Sequence, residues 1–522
     1  MLHTYFKDSH ENLPLDSFKM GEKDLPWSVI SEHTGKELTG IRYEQLLPYA
    51  KPESGDYFKV IIGDFVTTHD GTGIVHIAPS FGADDMRVAK QFGIGSLTLV
   101  NRFGRFTDEV SDFAGLPVKN YDDDPDYESV DVKIAIKLKQ ENKAFRVEKY
   151  EHSYPHCWRT DKPIIYYPMD SWFIKTTAVK DRMVELNKTI NWKPKSTGEG
   201  RFGQWLENLI DWNLSRTRFW GTPLPIWREI DGSEEKCIGS IQELREEVLK
   251  SIEAGFMKAP LPDNFDLHKP FVDDVFLTSS TGKKMKREED LVDVWFDSGA
   301  MPYAQWHYPF ENQDIIDNGI AFPADFIAEG VDQTRGWFYT LHALSVLLFD
   351  SIAYKNVISN GLVLDKNGNK MSKRLNNGVN PFETIEKYGA DATRWYMISN
   401  AQPWDNLRFD LKGITEVQRS FFGTLYNTYS FFALYANIDG YTANPSELLS
   451  DENYTELDKW ILSKLNSLML ECKAAYADYE PTKAARAIEH FTDEHLSNWY
   501  VRLSRRRFWK GEMNADKKAD VS

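Results

Sequence analysis

The order of apolar and polar residues predicts a strand, a turn and a helix between residues 325 and 348. The run Asp325-Phe-Ile-Ala-Glu-Gly330 is mainly apolar before Glu329, which predicts a strand that ends at Glu329 and Gly330. Apolar residues then recur at helical spacing, at Trp337, Leu341, Leu344 and Leu348. Open α/β sheets bind ligands where strands end and helices begin, so residues 329–333 are candidates for a binding site.

Further segments have regular patterns. Residues 355–364 predict another strand, and the run 291–299 alternates apolar and acidic residues like a strand that leads into a glycine turn. Beyond residue 413 the pattern is helical, and an amphipathic helix is predicted from Ala484. The helix before it has apolar positions at Trp460, Ile461, Leu465, Leu468, Met469, Cys472 and Tyr476. The chain therefore combines an α/β part with an all-helical part.

Length and composition limit the classes of protein to which the chain can belong. At 522 residues it exceeds what one hydrophobic core supports, so several domains are expected. The formal net charge of −17 argues against a general nucleic-acid binder. The sequence contains no apolar run of membrane-spanning length. Its three cysteines are far apart and odd in number, which favours a reducing, cytoplasmic environment.

A loop after the predicted strand 355–364 is strongly basic. The run Lys370-Met-Ser-Lys-Arg374, with Lys366 before it, carries four basic side chains against one acid, Asp365. Gly368 and two asparagines are expected to make the loop mobile. Such a loop can close over a triphosphate and neutralise the charge that develops on its phosphates. Judged by its charge alone, it would be interpreted as a solvated basic turn.

Polar side chains stand at the predicted end of the strand 325–330. A carboxylate such as Glu329 can hold the ammonium group of a substrate, and the Gln333 amide can bond a ribose or carbonyl oxygen. An ordinary exposed turn would account for Asp332 alone. It accounts poorly for the whole run from Glu329 to Phe338.

Both segments resemble those of one family. The order Lys-Met-Ser-Lys after a strand resembles the signature loop of class I aminoacyl-tRNA synthetases, and Arg374 in place of the commoner final serine resembles the eukaryote-like branch of the isoleucine enzymes. The run from Glu329 to Phe338 is similar to their aminoacyl-adenylate segment. The resemblance implies that Lys370 and Lys373 stabilise the transition state of amino-acid activation, with Lys373 on ATP. It implies an isoleucyl-adenylate pocket formed by Glu329, Gly330, Asp332, Gln333, Trp295 and Trp337.

Residues 1–150 contain a second candidate site. The run from Gly71 to Asp85 is β-strand-like, and it resembles the editing domain inserted in isoleucine, valine and leucine synthetases. By that resemblance Asp85 holds the ammonium of a misattached amino acid, and His76 lies beside the scissile ester. Without that resemblance, His76 would be interpreted as a core histidine. Editing is needed because valine lacks only one methylene of isoleucine, which changes the free energy of binding by only ~1–3 kcal/mol.

His152, His156 and Cys157 lie close together in the sequence and raise the question of a metal site. The family often carries a Cys-x-x-Cys knuckle here, but Thr160 stands at the second position. One cysteine is a poor basis for a tetrahedral zinc site, so we expect no zinc in this chain. The resemblance implies ATP, with the Mg²⁺ that accompanies it.

The fold predicted by the resemblance is α/β: the second half of a class I Rossmann-like catalytic domain, with an inserted β-rich editing domain and a C-terminal α-helical anticodon-binding bundle. The predicted domains are a partial editing domain at residues 1–150, the catalytic part with connective insertions and the signature loop at 151–412, and a partial helical domain at 413–522. The sequence contains no His-x-Gly-His motif, which predicts an internal fragment that is inactive alone.

The predicted function is that of an isoleucine–tRNA ligase, with ATP-dependent activation of isoleucine, transfer to tRNA(Ile) and hydrolytic editing of mischarged Val-tRNA. The expected partners are isoleucine, ATP and tRNA(Ile), for a cytoplasmic monomer without membrane contact. Two alternatives stay open: a free-standing aminoacyl-tRNA deacylase and a non-catalytic tRNA-binding paralogue. The combination of adenylate-like segment and basic loop favours the ligase.

Overall fold

The computed structural model describes residues 5–19, 24–67, 72–149, 151–372, 374–442 and 454–508. The chain forms two compact units, Met1–Asp170 and Ser171–Ser522, called here the N-terminal and C-terminal units. The boundary between them falls at residue 170, and the three domains predicted from the sequence stay predictions. The helices after residue 413 belong to the same compact unit as the segments 325–330 and 355–364.

Turns, short helices and isolated bridges build the N-terminal unit. Two α-helices lie wholly within its described residues: α1, Ala83–Gln91, and α2, Val130–Gln140. Extended segments pair through single bridges, as between Arg42 and Lys59, and the described residues of this unit contain no longer strand. The β-rich architecture predicted for residues 1–150 is therefore wrong for the part that the structure describes.

The run from Gly71 to Asp85 shows the physical reason. Its described part has no regular structure up to Ala78, makes a 3₁₀ turn at Pro79–Phe81 and then enters α1. The Ala78 N–H donates to Asp85 Oδ1 at 2.8 Å. A local side chain thus accepts the hydrogen bond that a neighbouring strand would otherwise accept, and the predicted strand does not form.

The C-terminal unit contains the sheets. Its strands are β1 Phe173–Ile174, β2 Asn191–Lys193, β3 Trp212–Asn213, β4 Ser215–Arg216, β5 Ile226–Glu229, β6 Glu235–Cys237, β7 Phe276–Thr278, β8 Lys284–Arg287, β9 Leu291–Val292, β10 Ala324–Gly330, β11 Tyr354–Asn360, β12 Val363–Leu364 and β13 Leu407–Arg408. Its α-helices are α3 Lys180–Asn187, α4 Gly203–Glu207, α5 Ile241–Glu253, α6 Val294–Ala304, α7 Gln313–Asp317, α8 Trp337–Phe349, α9 Pro381–Tyr388, α10 Ala390–Asn400, α11 Leu411–Val417, α12 Gly423–Ile438, α13 Glu456–Ala477, α14 Pro481–His490 and α15 Arg502–Phe508. Among the described residues, no helix has the length and apolar character needed to cross a membrane.

A parallel sheet with the strand order β10-β11-β2 forms the centre of this unit. The register of β10 and β11 runs from Ala324 opposite Tyr354 to Gly330 opposite Asn360. The sheet confirms the predicted strand at 325–330, and α8 confirms the predicted helix from Trp337. The predicted strand 355–364 is interrupted after Asn360 and resumes as β12. The core between sheet and helices contains Met183, Trp192, Phe202, Phe338, Leu341, Tyr354 and Val357.

A second, antiparallel sheet with the order β6-β5-β8-β7 forms a subdomain with α5. Ser240 caps α5, because its side chain accepts the Glu243 N–H at 3.0 Å. The subdomain lies between β4 and β9, which pair with Ser215 opposite Val292. It is therefore an insertion whose two ends are held together by that pairing. Its core contains Trp227, Leu244, Val248, Leu277 and Met285.

The segment 291–299 begins as β9 but continues as α6, so the predicted strand is wrong beyond Val292. Asp293 is the N-cap, and its Oδ1 accepts the Trp295 N–H at 3.2 Å. Gly299 lies against α8, where a Cβ would be 3.0 Å from both Thr340 O and Leu344 Cδ1. Alternation over so few residues fits a helix as well as a strand, and the close packing of α6 on α8 decides between them.

The described residues after Asp410 are predominantly helical, which confirms the helices predicted around residues 460–476 and from Ala484. α14 is tied to the end of α10 by side-chain hydrogen bonds. Thr482 Oγ1 donates to Ile398 O at 2.7 Å, and Arg486 Nε donates to Ser399 O at 2.8 Å. The C-terminal helices are thus joined directly to the segment that follows the basic loop.

Candidate functional site

The carboxyl edge of the parallel sheet brings two polar residues together. Glu329 and Ser359 are partners in register, one residue before β10 and β11 end. Glu329 is half-buried, and Ser359 is 2% exposed with a hydroxyl that has no hydrogen-bond partner within the described structure. This edge is the usual ligand position of open α/β sheets. The structure places Glu329 and Gly330 at it.

The turn after β10 is organised by its own side chains. Asp332 is exposed and folds back over Gly330, where a Cβ would lie 2.6 Å from Asp332 Oδ1. Gln333 Oε1 accepts the Trp337 N–H at 3.0 Å, and Gln333 Nε2 donates to Asp332 Oδ2 at 3.2 Å. The Gln333 carboxamide therefore serves two purposes: it satisfies an amide at the start of α8, and it orients the Asp332 carboxylate.

Trp295 and Trp337 meet at Gly336, directly after this turn. Trp295 is the second residue of α6 and 40% exposed, and its Cη2 would be 3.2 Å from a Cβ on Gly336. Trp337 begins α8 and is half-buried, and its Nε1 donates to Ser298 O at 2.9 Å. Both predicted pocket tryptophans are thus brought to one place from two different helices.

The basic loop is a hairpin. Leu364 and Lys370 form an antiparallel bridge, and the Gly368 N–H donates to Asp365 O at 2.9 Å. Gly368 turns the tip with a φ of +87°, a left-handed conformation that favours glycine. The hairpin follows β12, close in the chain to the carboxyl end of β11.

Asp365 holds this hairpin together. Its Oδ1 accepts the N–H groups of Asn367 and Asn369 at 2.9 and 2.8 Å, and its Oδ2 accepts the Asn377 Nδ2–H at 3.0 Å. The Asn377 amide, followed by the Asn369 N–H, holds the pKa of Asp365 below its usual value. Sequence reasoning expected asparagines to loosen the loop. In the structure the backbone N–H groups of Asn367 and Asn369 tie the loop to a carboxylate instead.

The described cations of the loop have no acidic partner in the described part of the chain. Lys366, Lys370 and Arg374 are exposed, and none has a carboxylate within 4.0 Å among the described residues. Asp365 is 9% exposed and is hydrogen-bonded to neutral donors, so it is no counter-ion for them. Lys373, the second lysine predicted to be catalytic, lies outside the described residues. The loop therefore presents uncompensated positive charge, which attracts phosphate.

The N-terminal unit positions the other two predicted residues near one turn. His76 is exposed, two residues before Ala78, whose N–H is bonded to Asp85 Oδ1 at 2.8 Å. Asp85 is half-buried in the first turn of α1 and has no ion pair among the described residues. Its second oxygen lies over Gly82, where a Cβ would be 2.1 Å away. The carboxylate is thus oriented by the backbone, and one oxygen accepts no hydrogen bond within the described part.

The segment around Cys157 shows no metal-binding arrangement. Within the described ranges no three His, Cys, Asp or Glu side chains form a group that could hold a metal ion. His152 Nδ1 and His156 Nδ1 each contact a backbone carbonyl at 2.9 Å, at Ser153 and Tyr154. The Thr160 hydroxyl lowers the pKa of the Cys157 thiol.

Asn377 was missed by sequence reasoning. It precedes Gly378, and Asn-Gly is a turn signal. That signal marks the end of the loop, but it does not reveal that the amide reaches back to Asp365.

The chain matches known families over most of its length. The sequence model described as tRNA synthetases class I (I, L, M and V) matches residues 20–410, and that of the anticodon-binding domain of tRNA ligase matches residues 458–521. The isoleucine–tRNA ligase of Cytophaga hutchinsonii is 64% identical over 542 residues, covering 99% of this chain and 48% of that protein. The isoleucine–tRNA ligase of Bacteroides fragilis is 57% identical over 562 residues, covering 99% of this chain and 49% of that protein.

The chain therefore spans about half the length of these curated relatives. Among solved structures, Mycobacterium tuberculosis methionyl-tRNA synthetase in complex with methionyl-adenylate has a TM-score of 0.48 and 15% identity to this chain. That comparison covers 70% of this chain and 59% of the other.

A parallel sheet with acidic residues at its carboxyl edge, followed in the chain by a cationic loop, defines an α/β protein of the open-sheet class, which binds ligands at that edge. The family comparison narrows this class. The chain belongs to the class I tRNA synthetases, with a mixed α/β catalytic region followed by an anticodon-binding domain.

Proposed function

We propose that the chain carries the amino-acid activation site and part of the tRNA-binding helices of an isoleucine–tRNA ligase. The sequence identity of 57–64% to proteins of that name supports the isoleucine assignment. Residues 151–412 would form the second half of the Rossmann-like catalytic domain and residues 413–522 the start of the anticodon-binding bundle for tRNA(Ile). Residues 1–150 would form part of an inserted editing domain.

The placement of opposite charges carries this proposal. Glu329 and Asp332 are acids at the carboxyl end of β10, and the basic loop follows the neighbouring strand β11. An amino acid brings an ammonium group that a carboxylate can bind. ATP brings phosphates that exposed lysines without acidic partners can bind, and Mg²⁺ would neutralise part of the phosphate charge. The residues at this edge therefore fit both ligands.

Activation joins the two ligands. An oxygen of the isoleucine carboxylate attacks the α-phosphorus of ATP, the bond from that phosphorus to the bridging oxygen breaks, and pyrophosphate leaves with the electron pair. Negative charge grows on the leaving group during this step. Lys370 and Lys373 would accelerate it, because they interact more strongly with the transition state than with bound ATP.

Trp295 and Trp337 would supply apolar walls for the isoleucine side chain around Gly336. Such a pocket separates isoleucine from valine by only ~1–3 kcal/mol. Hydrolytic editing of Val-tRNA is therefore the second function that we propose, with Asp85 binding the ammonium group and His76 beside the ester. The Asp85 carboxylate, which has no ion pair among the described residues, supports this assignment.

Calorimetric titration of the purified chain with the sulfamoyl analogue of isoleucyl-adenylate tests the activation site. The analogue should bind the unmodified chain, and Glu329→Gln should weaken binding about tenfold or more, since a charged hydrogen bond contributes ~1.5–3 kcal/mol. Asp325→Asn is the matched control, because Asp325 lies near the other end of β10 and pairs with Lys355 at 2.9 Å. Equal binding of the valyl and leucyl analogues would refute the isoleucine assignment. The absence of any binding would refute the activation site.

A further inference from the structure

We propose that Asn377 is the positioning residue of the basic loop, residues 365–377, and that it sets the direction in which Lys370 meets the pyrophosphate end of ATP. This inference rests on the proposed function, because it assumes that the loop binds phosphate. It concerns a residue outside the adenylate segment and outside the run Lys370–Arg374.

The Asn377 carboxamide contacts both sides of Met371. Its Oδ1 accepts the Ser372 N–H at 2.9 Å, and its Nδ2 donates to Lys370 O at 3.2 Å. The same Nδ2 donates to Asp365 Oδ2 at 3.0 Å. The chemistry of the partners fixes the orientation of the amide, since the Ser372 N–H can only donate and the other two oxygens are acceptors.

Asparagine is the side chain that fits these partners. Aspartate would keep an acceptor for Ser372, but it would lose both donated bonds and place a second carboxylate beside Asp365. Alanine would leave the Ser372 N–H and a carboxylate oxygen without this partner. Glutamine has the same groups on a longer side chain, and its amide would have to fold back. Position 377 therefore requires a side chain of the length of asparagine that accepts one hydrogen bond and donates two.

A second anchor lies between the two backbone contacts. The Met371 side chain packs against the apolar cluster of Tyr396, Leu407 and Ile414 from α10, β13 and α11. The backbone of residues 370–372 is thus held by Asn377 through hydrogen bonds and by Met371 through packing. Lys370 itself stays exposed, with no carboxylate within 4.0 Å in the described part of the chain. The anchored backbone fixes the position of the Lys370 Cα and the direction of its Cα–Cβ bond. The flexible side chain therefore starts from one defined place, which lowers the conformational cost of binding phosphate.

Hydrogen exchange of the ligand-free chain tests the anchoring. Asn377→Ala should speed exchange in peptides that cover residues 366–377 about tenfold, because two ordinary hydrogen bonds to the backbone are lost. Asn367→Ala is the control: it removes the same kind of side chain from the same loop, but the bond from residue 367 to Asp365 comes from the backbone N–H and stays. If both variants exchange like the unmodified chain, Asn377 does not anchor the loop.

Titration with pyrophosphate tests the positioning role. Asn377→Ala should weaken pyrophosphate binding about as much as Lys370→Ala does, and the double variant should be little worse than either, because both changes disable one contact. The sulfamoyl adenylate analogue has no β- and γ-phosphates, so Asn377→Ala should leave its affinity unchanged. A variant with a generally damaged site would bind the analogue more weakly as well.

The possible results separate this inference from the proposed function. Faster exchange with unchanged pyrophosphate affinity would overturn the positioning role. Absence of pyrophosphate binding by the unmodified chain would overturn the phosphate-binding function, and the role of Asn377 in it, even if the loop is anchored. If Asn377→Ala does not yield a folded chain, Asp365→Asn is the second variant. It replaces the acceptor of the bond from Asn377 Nδ2 and is expected to give the same exchange result.

Discussion

The indole Nε1 of Trp337 donates a hydrogen bond to Ser298 O over 2.9 Å, which fastens the start of α8 to α6. Ser298 lies one helical turn after Trp295, so this bond sets the position of one tryptophan relative to the other. The two helices come from segments separated by α7, β10 and the turn after it. The proposed isoleucine pocket depends on their alignment.

Trp337→Phe should distinguish the hydrogen bond that aligns α8 with α6 from the apolar contact of the aromatic ring. The phenyl ring keeps an apolar wall but removes the donor to Ser298 O, so the free energy of unfolding should fall by about 1 kcal/mol. Trp295→Phe is the control, because the Trp295 indole nitrogen has no hydrogen bond among the described residues and its loss should cost less. Denaturant unfolding measures both values. Equal losses in the two variants would show that the hydrogen bond to Ser298 contributes nothing.

Lys370→Ala and Lys373→Ala should lower the rate of activation rather than the affinity for isoleucine. Their charges would act mainly on the departing pyrophosphate, and removal of one such contact costs about 10²-fold in rate. Isoleucine-dependent ATP–pyrophosphate exchange, in a ligase that contains this sequence, gives the rate and the Michaelis constants separately. Lys355→Ala is the control, because Lys355 lies outside the loop and pairs with Asp325 at 2.9 Å. Loss of isoleucine affinity at an unchanged rate would contradict the assigned role.

Asp85→Asn should abolish hydrolysis of Val-tRNA while leaving the isoleucyl-adenylate site intact. The amide oxygen can still accept the Ala78 N–H, so the turn before α1 is kept and only the negative charge is lost. Asp84→Asn is the neighbouring control, since Asp84 is exposed and lies 3.4 Å from Arg87. Deacylation of Val-tRNA(Ile) is the measurement. Normal hydrolysis by Asp85→Asn would remove Asp85 from the editing site.

Acid below about pH 4 should weaken the C-terminal helices through Asp458. Asp458 is 5% exposed and pairs with Arg507 at 2.8 Å. Burial by itself would raise the pKa of Asp458, but the hydrogen bonds from Arg507 and Thr455 outweigh it and lower the pKa. A lowered carboxyl pKa stabilises the fold above the unfolded value of about 3.9, and this contribution is lost as the pH falls through the folded value.

The melting temperature of the chain between about pH 6 and pH 2 measures this contribution. Asp458→Asn should melt earlier at neutral pH, and the difference from the unmodified chain should shrink as the pH falls. Glu456→Gln, at an exposed position of the same helical turn, should show no such change. A difference that grows with acidity would mean that the pKa of Asp458 is raised, not lowered.

The elements that sequence patterns predicted correctly are those with a long or unambiguous period. The apolar run before Glu329 and the helical spacing from Trp337 each extend over several residues, and both elements form as predicted. The run 291–299 is too short for its alternation to exclude a helix, and Gly299 against Thr340 decided the outcome. The strand expected before Asp85 had a suitable pattern but no partner strand among the described residues.

The sequence by itself determined the order of the elements, the basic loop and the acidic end of β10, because periodicity and charge are properties of short stretches of chain. It also contained the family motifs that indicated an aminoacyl-adenylate site. Only the tertiary structure decided that Trp295 and Trp337 meet at Gly336, and that Asn377 closes the hairpin on Asp365. The two tryptophans are distant in the sequence, and Asn377 reaches Asp365 only because the backbone between them turns back as a hairpin. Local patterns contain no information about which donor reaches which acceptor once the chain has folded.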